Sequence, residues 1–500
     1  MVTAFSMVER FLGFIYRIYL SRSLGAEGLG IYQIALSVLG LFMTVTSSGI
    51  PITVSRIFAK NKNLKEEYKN SQAVTSGIIL SLLISVPITF AVLFKSEFLS
   101  FIFSDERCMT LLMIMIPGLV FTSVYAVIRG SFWGNTEFLA YSIIELLEEA
   151  VMMIIGIILV NRATNAFSGI KRAGYAVLIS YLFSFTVSIV VYFVKGGRFK
   201  APKTTLKPLL VSSVPITAMR TATTLIGTSI SLILPARLVF YGATSTYALQ
   251  EFGKVYGMAF PLIFMPSSLI GSLALVLVPE LSDNYYSGKY LTLKTNVEKA
   301  VKFSSLVACF IMPIFLPLGK EISELLYSDA SVGEYVIKAS AIMLPLSLSI
   351  ITSSMLNSLN KERQTLLSFT VGASALIICI LFLPSVMGIN ALILGMLIYY
   401  GINCSINFFL LSKASPSKPN YLSYVMKTSL LVIPTAFFGS QLKSVLSLKF
   451  SLPIALGISM VAIAVFETVL FVLFGVIDYK KMRFKGFTSK SMGKRIKSNA

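Results

Sequence analysis

The 500-residue sequence has no histidine, a single tryptophan and only four cysteines. Without histidine, Ser–His and Cys–His nucleophilic schemes and imidazole metal sites are excluded. Cys108, Cys309, Cys379 and Cys404 show neither paired spacing nor a metal-ligand pattern, so no disulfide framework and no metal centre is expected. Charge is scarce as well. Charged residues occupy 13% of positions, against roughly 25% in a soluble domain. Acidic residues are the rarer sign, 22 against 43 Lys and Arg. Nowhere is there a polar stretch long enough for a soluble catalytic domain, which argues against an enzyme. The first apolar segment lacks the basic region and small-residue cleavage site of a secretory leader and is expected to be retained.

What fills the chain is apolar sequence, 55% of it. Gly77–Phe94, Val151–Val160 and Ala455–Val476 are nearly free of charge over span-like lengths. A helix of about 20 apolar residues crosses a bilayer core. The pattern predicts an all-α integral membrane protein of about fourteen transmembrane helices. The formal charge of +21 does not point to nucleic acid, because the basic residues sit at the ends of apolar runs. With the N-terminus in the cytoplasm, alternating connections hold 28 Lys and Arg on the cytoplasmic side and 11 on the other, with Arg10, Arg17, Arg220 and Lys254 inside spans. Both termini are therefore expected to be cytoplasmic in a multi-pass protein. The basic tail containing Lys480–Lys497 is expected to meet anionic lipid or a partner.

Sequence near residue 81 returns near residue 305. Ser81–Pro87 resembles Ser305–Pro313, Ser104-Asp105 recurs as Ser328-Asp329, Pro117 as Pro345 and Gly134 as Asn360, with offsets of 224 to 228. Such a repeat predicts two six-helix lobes in parallel orientation, over residues 1–200 and 201–412. Two additional helices (413–477) and the tail (478–500) follow. Halves of this kind place a substrate site between them. Proline within or beside the spans, Pro51, Pro87, Pro215, Pro261, Pro266 and Pro313 among them, offers places to bend.

Charges within spans are costly and usually face a cavity or a partner. Glu9, Arg10 and Arg17 lie in span one. The two arginines are seven residues apart on one face, with Gly13 between them. Arg220 lies in span seven, the expected copy of span one. Together the arginines are read as a diphosphate-binding set, since guanidinium holds phosphate bidentately and keeps its charge. Glu251 and Lys254, three apart in span eight, are read as a substrate contact or a structural ion pair. Glu145, Glu148 and Glu149 begin span five. They are read as partners of basic residues, with Glu145 and Glu149 the candidates for cation coupling. Arg56 reads as an orientation charge or a gate.

The stretch Glu9-Arg10-Phe11-Leu12-Gly13-Phe14-Ile15-Tyr16-Arg17, with Leu24-Gly25-Ala26-Glu27-Gly28-Leu29-Gly30-Ile31-Tyr32-Gln33, resembles the multidrug/oligosaccharidyl-lipid/polysaccharide (MOP) exporter superfamily. The likeness is to its stage V sporulation protein B and polysaccharide biosynthesis group, related to lipid II flippases. Arg10 matches the arginine before the family's Leu-Gly-Phe, and Arg22 the one before the Gly-Ala turn. At the family's second arginine stands Tyr16, and Arg17 takes the place of an acid. The resemblance implies a flippase that moves a polyprenyl-diphosphate-linked saccharide, lipid II-like or a polysaccharide precursor, by alternating access. It implies a bacterial cytoplasmic or forespore-associated membrane, coupling to membrane potential, H+ or Na+ without a cofactor, and membrane lipids and cell-wall synthesis proteins as partners. The alternatives are a cation-coupled multidrug exporter of the same superfamily and a membrane glycan polymerase or ligase.

Overall fold

The computed structural model describes residues 2–63, 69–95, 97, 100–202, 205–414 and 421–477. The tail expected over 478–500 lies outside the described residues. The described chain is helical, with no strand. Nine of its helices are long and apolar enough to span a membrane, or eleven when two bent pairs each count as one.

The count reaches fourteen once three features are recognised. Val2–Ser47 is helical except at Gly25, whose φ of 71° and ψ of 177° turn the chain. Residues before Gly25 form α1. Those after it, continued by Ile50–Asn63, form α2. Helix α3 is Asn70–Phe94 and α4 the pair Glu106–Met115 and Gly118–Gly134. Helix α5 (Phe138–Asn161) carries three glutamates, which hide it from a purely apolar test. Helices α6 (Ala166–Val194) and α7 (Leu206–Phe240) follow. Helix α8 is composite: Ser245–Phe252, a π-helical stretch Gly253–Ala259, Phe260–Phe264 and Ser267–Tyr286. The remaining spans are α9 (Tyr290–Tyr327), α10 (Val332–Ser340 with Met343–Ser358), α11 (Glu362–Phe382), α12 (Asn390–Ala414), α13 (Tyr421–Leu446) and α14 (Leu452–Leu473). A single short turn, Pro384–Met387, links α11 to α12.

The spans alternate, so one end of the bundle, here the distal end, holds Gly25, Asp105 and Ser328. The opposite end carries most of the Lys and Arg in the connections and is the basic end. Three helices that start at the distal end have side-chain caps. Asp105 accepts from the Arg107 N–H, Asn165 from Ser168 and Thr244 from Tyr247, satisfying N–H groups that a helix start leaves free. Helices α4 and α10 bend by 48° and 52°. Both bends lie beside the prolines of the sequence repeat, Pro117 and Pro345, where a missing N–H weakens the helix.

The reversals from α1 to α2 and from α7 to α8 both use glycine in the left-handed region, Gly25 at 71° and Gly242 at 98°, where a side chain is strained. Helices α2 and α8 then pack backbone to backbone. A Cβ on Gly30 would overlap the Leu249 carbonyl, and one on Gly253 the Ala26 carbonyl. Small residues allow this approach in membranes. Helices α13 and α14 pack on α9. Charge count, span count and helical content place the chain among multi-pass membrane proteins.

Candidate functional site

A cavity of about 760 Å³ lies at the centre of the bundle, walled by α1, α2, α5, α7, α8 and α12. Its charged lining is contributed by one side only: Glu9, Arg10 and Arg17 from α1, and Glu149 from α5. The opposite wall is aromatic and thioether-rich, with Tyr256, Phe260, Phe264, Met265, Met396 and Tyr400.

Arg17 is the innermost cation. Its nearest ionisable neighbours are Tyr327, Tyr32, Tyr256 and Glu149. Among the described residues no hydrogen bond or ion pair engages its guanidinium. An arginine side chain carries five N–H donors, so this group is open to an anionic ligand. Tyr16 is 3% exposed, and its hydroxyl lies against Gly156 of α5. One residue on the helix is a turn of about 100°, which is why Arg17 and not Tyr16 offers its polar end to the cavity.

Arg10 lies two turns nearer the basic end and is exposed. It makes no ion pair with the adjacent Glu9. Gly13 is in the lining, but the space it leaves is taken by Glu149: a Cβ there would stand 2.8 Å from Glu149 Oε1. The glycine thus lets a carboxylate of α5 lie against the backbone of α1, within the same cavity as Arg17.

The other candidate residues are placed elsewhere. Arg220 is exposed on α7, seven residues before Gly227, which does line the cavity. At 1.5 Å per residue it lies about 10 Å closer to the basic end, on the same helix face. It is not among the residues that line the cavity with Arg10 and Arg17. The two reversal glycines, Gly25 and Gly242, are 217 positions apart. Counting back from them sets Gly227, not Arg220, opposite Arg10, and Leu234 opposite Arg17.

Glu145 is paired with Arg129, Oε1 to Nη1 2.7 Å. Arg129 also lies 5.0 Å from the Trp133 ring centroid, so both charges are engaged outside the cavity. Glu148 faces Ser184 of α6. Glu251 and Lys254 form a buried ion pair of 2.9 Å, and Tyr335 of α10 donates to the same glutamate. This cluster links α8 to α10. Arg22 donates to the Leu326 carbonyl at 2.8 Å and to that of Leu325, capping the last turn of α9. Arg56 is exposed near the basic end of α2.

Contacts close the cavity distally. Besides Arg22 on α9 and the glycine packing of α2 on α8, Ser245 of α8 donates to Asp105 at 3.1 Å. Asp105 is also bound by Arg107, which reaches Glu27 at 2.6 Å. The π-helical stretch of α8 lies at this seal. Tyr327 donates to the Met258 carbonyl at 3.0 Å, satisfying one group of the irregular backbone. The sequence gives a signal for the aromatic wall, Tyr256, Phe260 and Phe264 at four-residue spacing. It gives none for the π-helical stretch.

Residues 1–285, more than half of the chain, match the family model for polysaccharide biosynthesis proteins. The chain belongs to that family. Stage V sporulation protein B of Bacillus subtilis (strain 168) is 23% identical over 504 residues, covering 96% of this chain and 95% of that protein. The solved structure of lipid II flippase MurJ in an inward closed conformation superposes with a TM-score of 0.72 at 17% identity, over 94% of this chain and 98% of that one. An inward-facing multidrug resistance MATE family transporter of the MOP superfamily gives 0.63 at 16% identity, over 85% and 96%. The fold of this family member is the one shared by these transporters.

Proposed function

We propose that the chain is a flippase that carries a polyprenyl-diphosphate-linked saccharide, a lipid II-like or polysaccharide precursor, from the inner to the outer leaflet of a bacterial cytoplasmic membrane. The observation that carries this reading is the unpaired Arg17 guanidinium inside a cavity closed at its distal end. An anionic head group crossing hydrocarbon faces a large desolvation cost. A cation held ready in a central cavity replaces part of the lost hydration while the lipid tail stays in the bilayer. Arg10 offers the first contact from the basic end and Arg17 the deeper one.

On this reading the basic end is cytoplasmic, with both termini there. Residues 1–200 and 201–412 rock against each other, and the seal formed by Arg22, Asp105 and the α2–α8 packing opens in the outward state. Residues 413–477 flank the second lobe. Glu149, sharing the cavity with Arg17, is the proposed place where H+ or Na+ couples to the substrate. The similarity to stage V sporulation protein B supports a forespore-associated membrane and cell-wall synthesis proteins as partners.

The test is translocation of a polyprenyl-diphosphate saccharide by the purified protein in proteoliposomes, compared with Arg17→Ala. A charge-assisted hydrogen bond contributes about 1.5–3 kcal/mol, so a loss of about ten- to a hundredfold is expected. Full activity in Arg17→Ala would remove the site from the path. Failure of the wild-type protein to move this lipid would reject the substrate class. A second reading, a cation-coupled drug exporter, is favoured by Glu9 and Glu149 beside the aromatic wall. Efflux of a cationic dye that survives Arg17→Ala and is lost in Glu149→Gln would establish it instead.

A further inference from the structure

Helix α14 is nearly free of charge, and the one charged residue it carries is Glu467. The side chain is 0% exposed and lies outside the central cavity. It shares a face with Leu456, Ser459, Ile463 and Phe471, all buried, at the three- and four-residue spacing of a helix stripe. That stripe packs on α9 and α13. Neither carboxyl oxygen has a hydrogen bond of ordinary geometry among the described residues.

The groups that face Glu467 are uncharged. From α13 comes Thr435, whose hydroxyl donates to the Leu431 carbonyl at 2.9 Å. With that one hydrogen engaged by the carbonyl, the Thr435 oxygen keeps a lone pair that can accept. From α9 comes the Cys309 thiol. It lies beside Thr428, whose own hydroxyl donates to the Tyr424 carbonyl at 3.0 Å. Pro313, four residues after Cys309, has no N–H and leaves the Cys309 carbonyl without its helical donor. No charged side chain of α9 or α13 faces the glutamate. Lys302 lies over the Tyr424 ring, and Glu321 pairs with Lys443 at 2.5 Å.

A carboxylate here would be buried without an ordinary hydrogen bond, a cation or a water-exposed edge. A carboxylic acid avoids that cost, because it carries no charge and has a hydrogen that the Thr435 oxygen can accept. We propose that Glu467 is a proton-binding site at the junction of α9, α13 and α14, its carboxylic hydrogen donated to Thr435 while the two C-terminal helices are seated. The ligand is a proton taken from solvent by the carboxylate, with no change of oxidation state. The site is separate from the cavity arginines, and its occupancy makes the seating of α13 and α14 on α9 dependent on protonation.

Infrared absorption of the full-length protein in lipid nanodiscs at neutral pH tests this. The wild type should show a protonated-carboxyl C=O band that shifts down in D2O and is absent from Glu467→Gln. In Thr435→Val, which removes the acceptor and keeps the shape, the band should move to higher frequency. A band that persists unchanged in Glu467→Gln, or no such band in the wild type, overturns the proposal. Should Glu467→Gln not fold, Thr435→Val decides alone, and an unmoved band overturns the hydrogen bond to Thr435.

Discussion

Arg22, three residues before the Gly25 reversal, donates from Nε to the Leu326 carbonyl in the last turn of α9, at 2.8 Å. The last carbonyls of a helix have no partner of their own, and a cation there also meets the negative end of the helix dipole. An arginine that matches a family motif in sequence thus acts as a clasp between the ends of two spans, not as a lining group of the cavity.

Removing that clasp should loosen the distal seal. Arg22→Ala gives up hydrogen bonds from a charged donor, and even one of them, at about 1.5–3 kcal/mol, corresponds to a shift of at least about tenfold in the opening equilibrium. A cysteine placed at Leu20, 1% exposed and at the distal part of the cavity, reports the change. Its labelling by an impermeant thiol reagent added on the distal side should accelerate in Arg22→Ala. The native cysteines are all buried and give a low background. Equal labelling rates with and without Arg22 would show that the seal does not depend on it.

The cavity should discriminate between its cations. Arg17→Lys keeps charge but loses the planar fork that grips a diphosphate in two places. It should recover part of the transport lost in Arg17→Ala. Arg220→Ala should stay within about fivefold of the wild type, since an exposed charge contributes under about 1 kcal/mol. Comparable losses at Arg17 and Arg220 would mean that the two share a substrate position that this closed arrangement does not display.

The placement of Arg220 shows where sequence reasoning stops. Apolar run length and loop charge are local properties, and they made the spans legible. Helix order pairs α7 with α1 but does not fix their register. The reversals at Gly25 and Gly242 are 217 apart, which sets Gly227, seven residues beyond Arg220, opposite Arg10. The Arg129–Glu145 pair joins different helices at a separation of 16 residues, across a turn, and no helical periodicity predicts it. Glu467 was hidden for the opposite reason. One acid in an otherwise apolar run barely alters its hydropathy, and only the packing of three helices shows that both oxygens are enclosed.

The distal seal should be insensitive to pH around neutrality. Asp105 lies outside the spans, at the start of α4. Burial opposes its charge. The side chain and backbone N–H of Arg107, with the Ser245 hydroxyl, outweigh that and hold the carboxyl below its ordinary value. A value depressed in the folded state gives stability that is present above the unfolded value and lost as pH falls through the folded one. Thermal stability owed to Asp105 should thus be constant from about pH 5 to 8 and fade below about pH 4. The Tm gap between wild type and Asp105→Asn should shrink in acid. A gap that stays constant down to about pH 3.5 would mean that the aspartate's charge is not what Arg107 and Ser245 hold.

The tightest contact in the seal is between backbones, and it should tolerate no added carbon. A Cβ at Gly253 would overlap the Ala26 carbonyl, so there is no flexible side chain to move aside. Overpacking in a well-packed interior costs about 1–3 kcal/mol. Here the strain exists only while α2 and α8 are together. Gly253→Ala should therefore push the protein towards the distally open state and raise labelling of the Leu20 cysteine, with little loss of overall stability. Gly271→Ala, on the same helix with nothing within 4 Å of an added Cβ, is the matched control and should label as the parent does. If Gly253→Ala instead lowers Tm strongly and leaves labelling unchanged, the α2–α8 contact persists in both states. The opening would then have to occur elsewhere in the bundle.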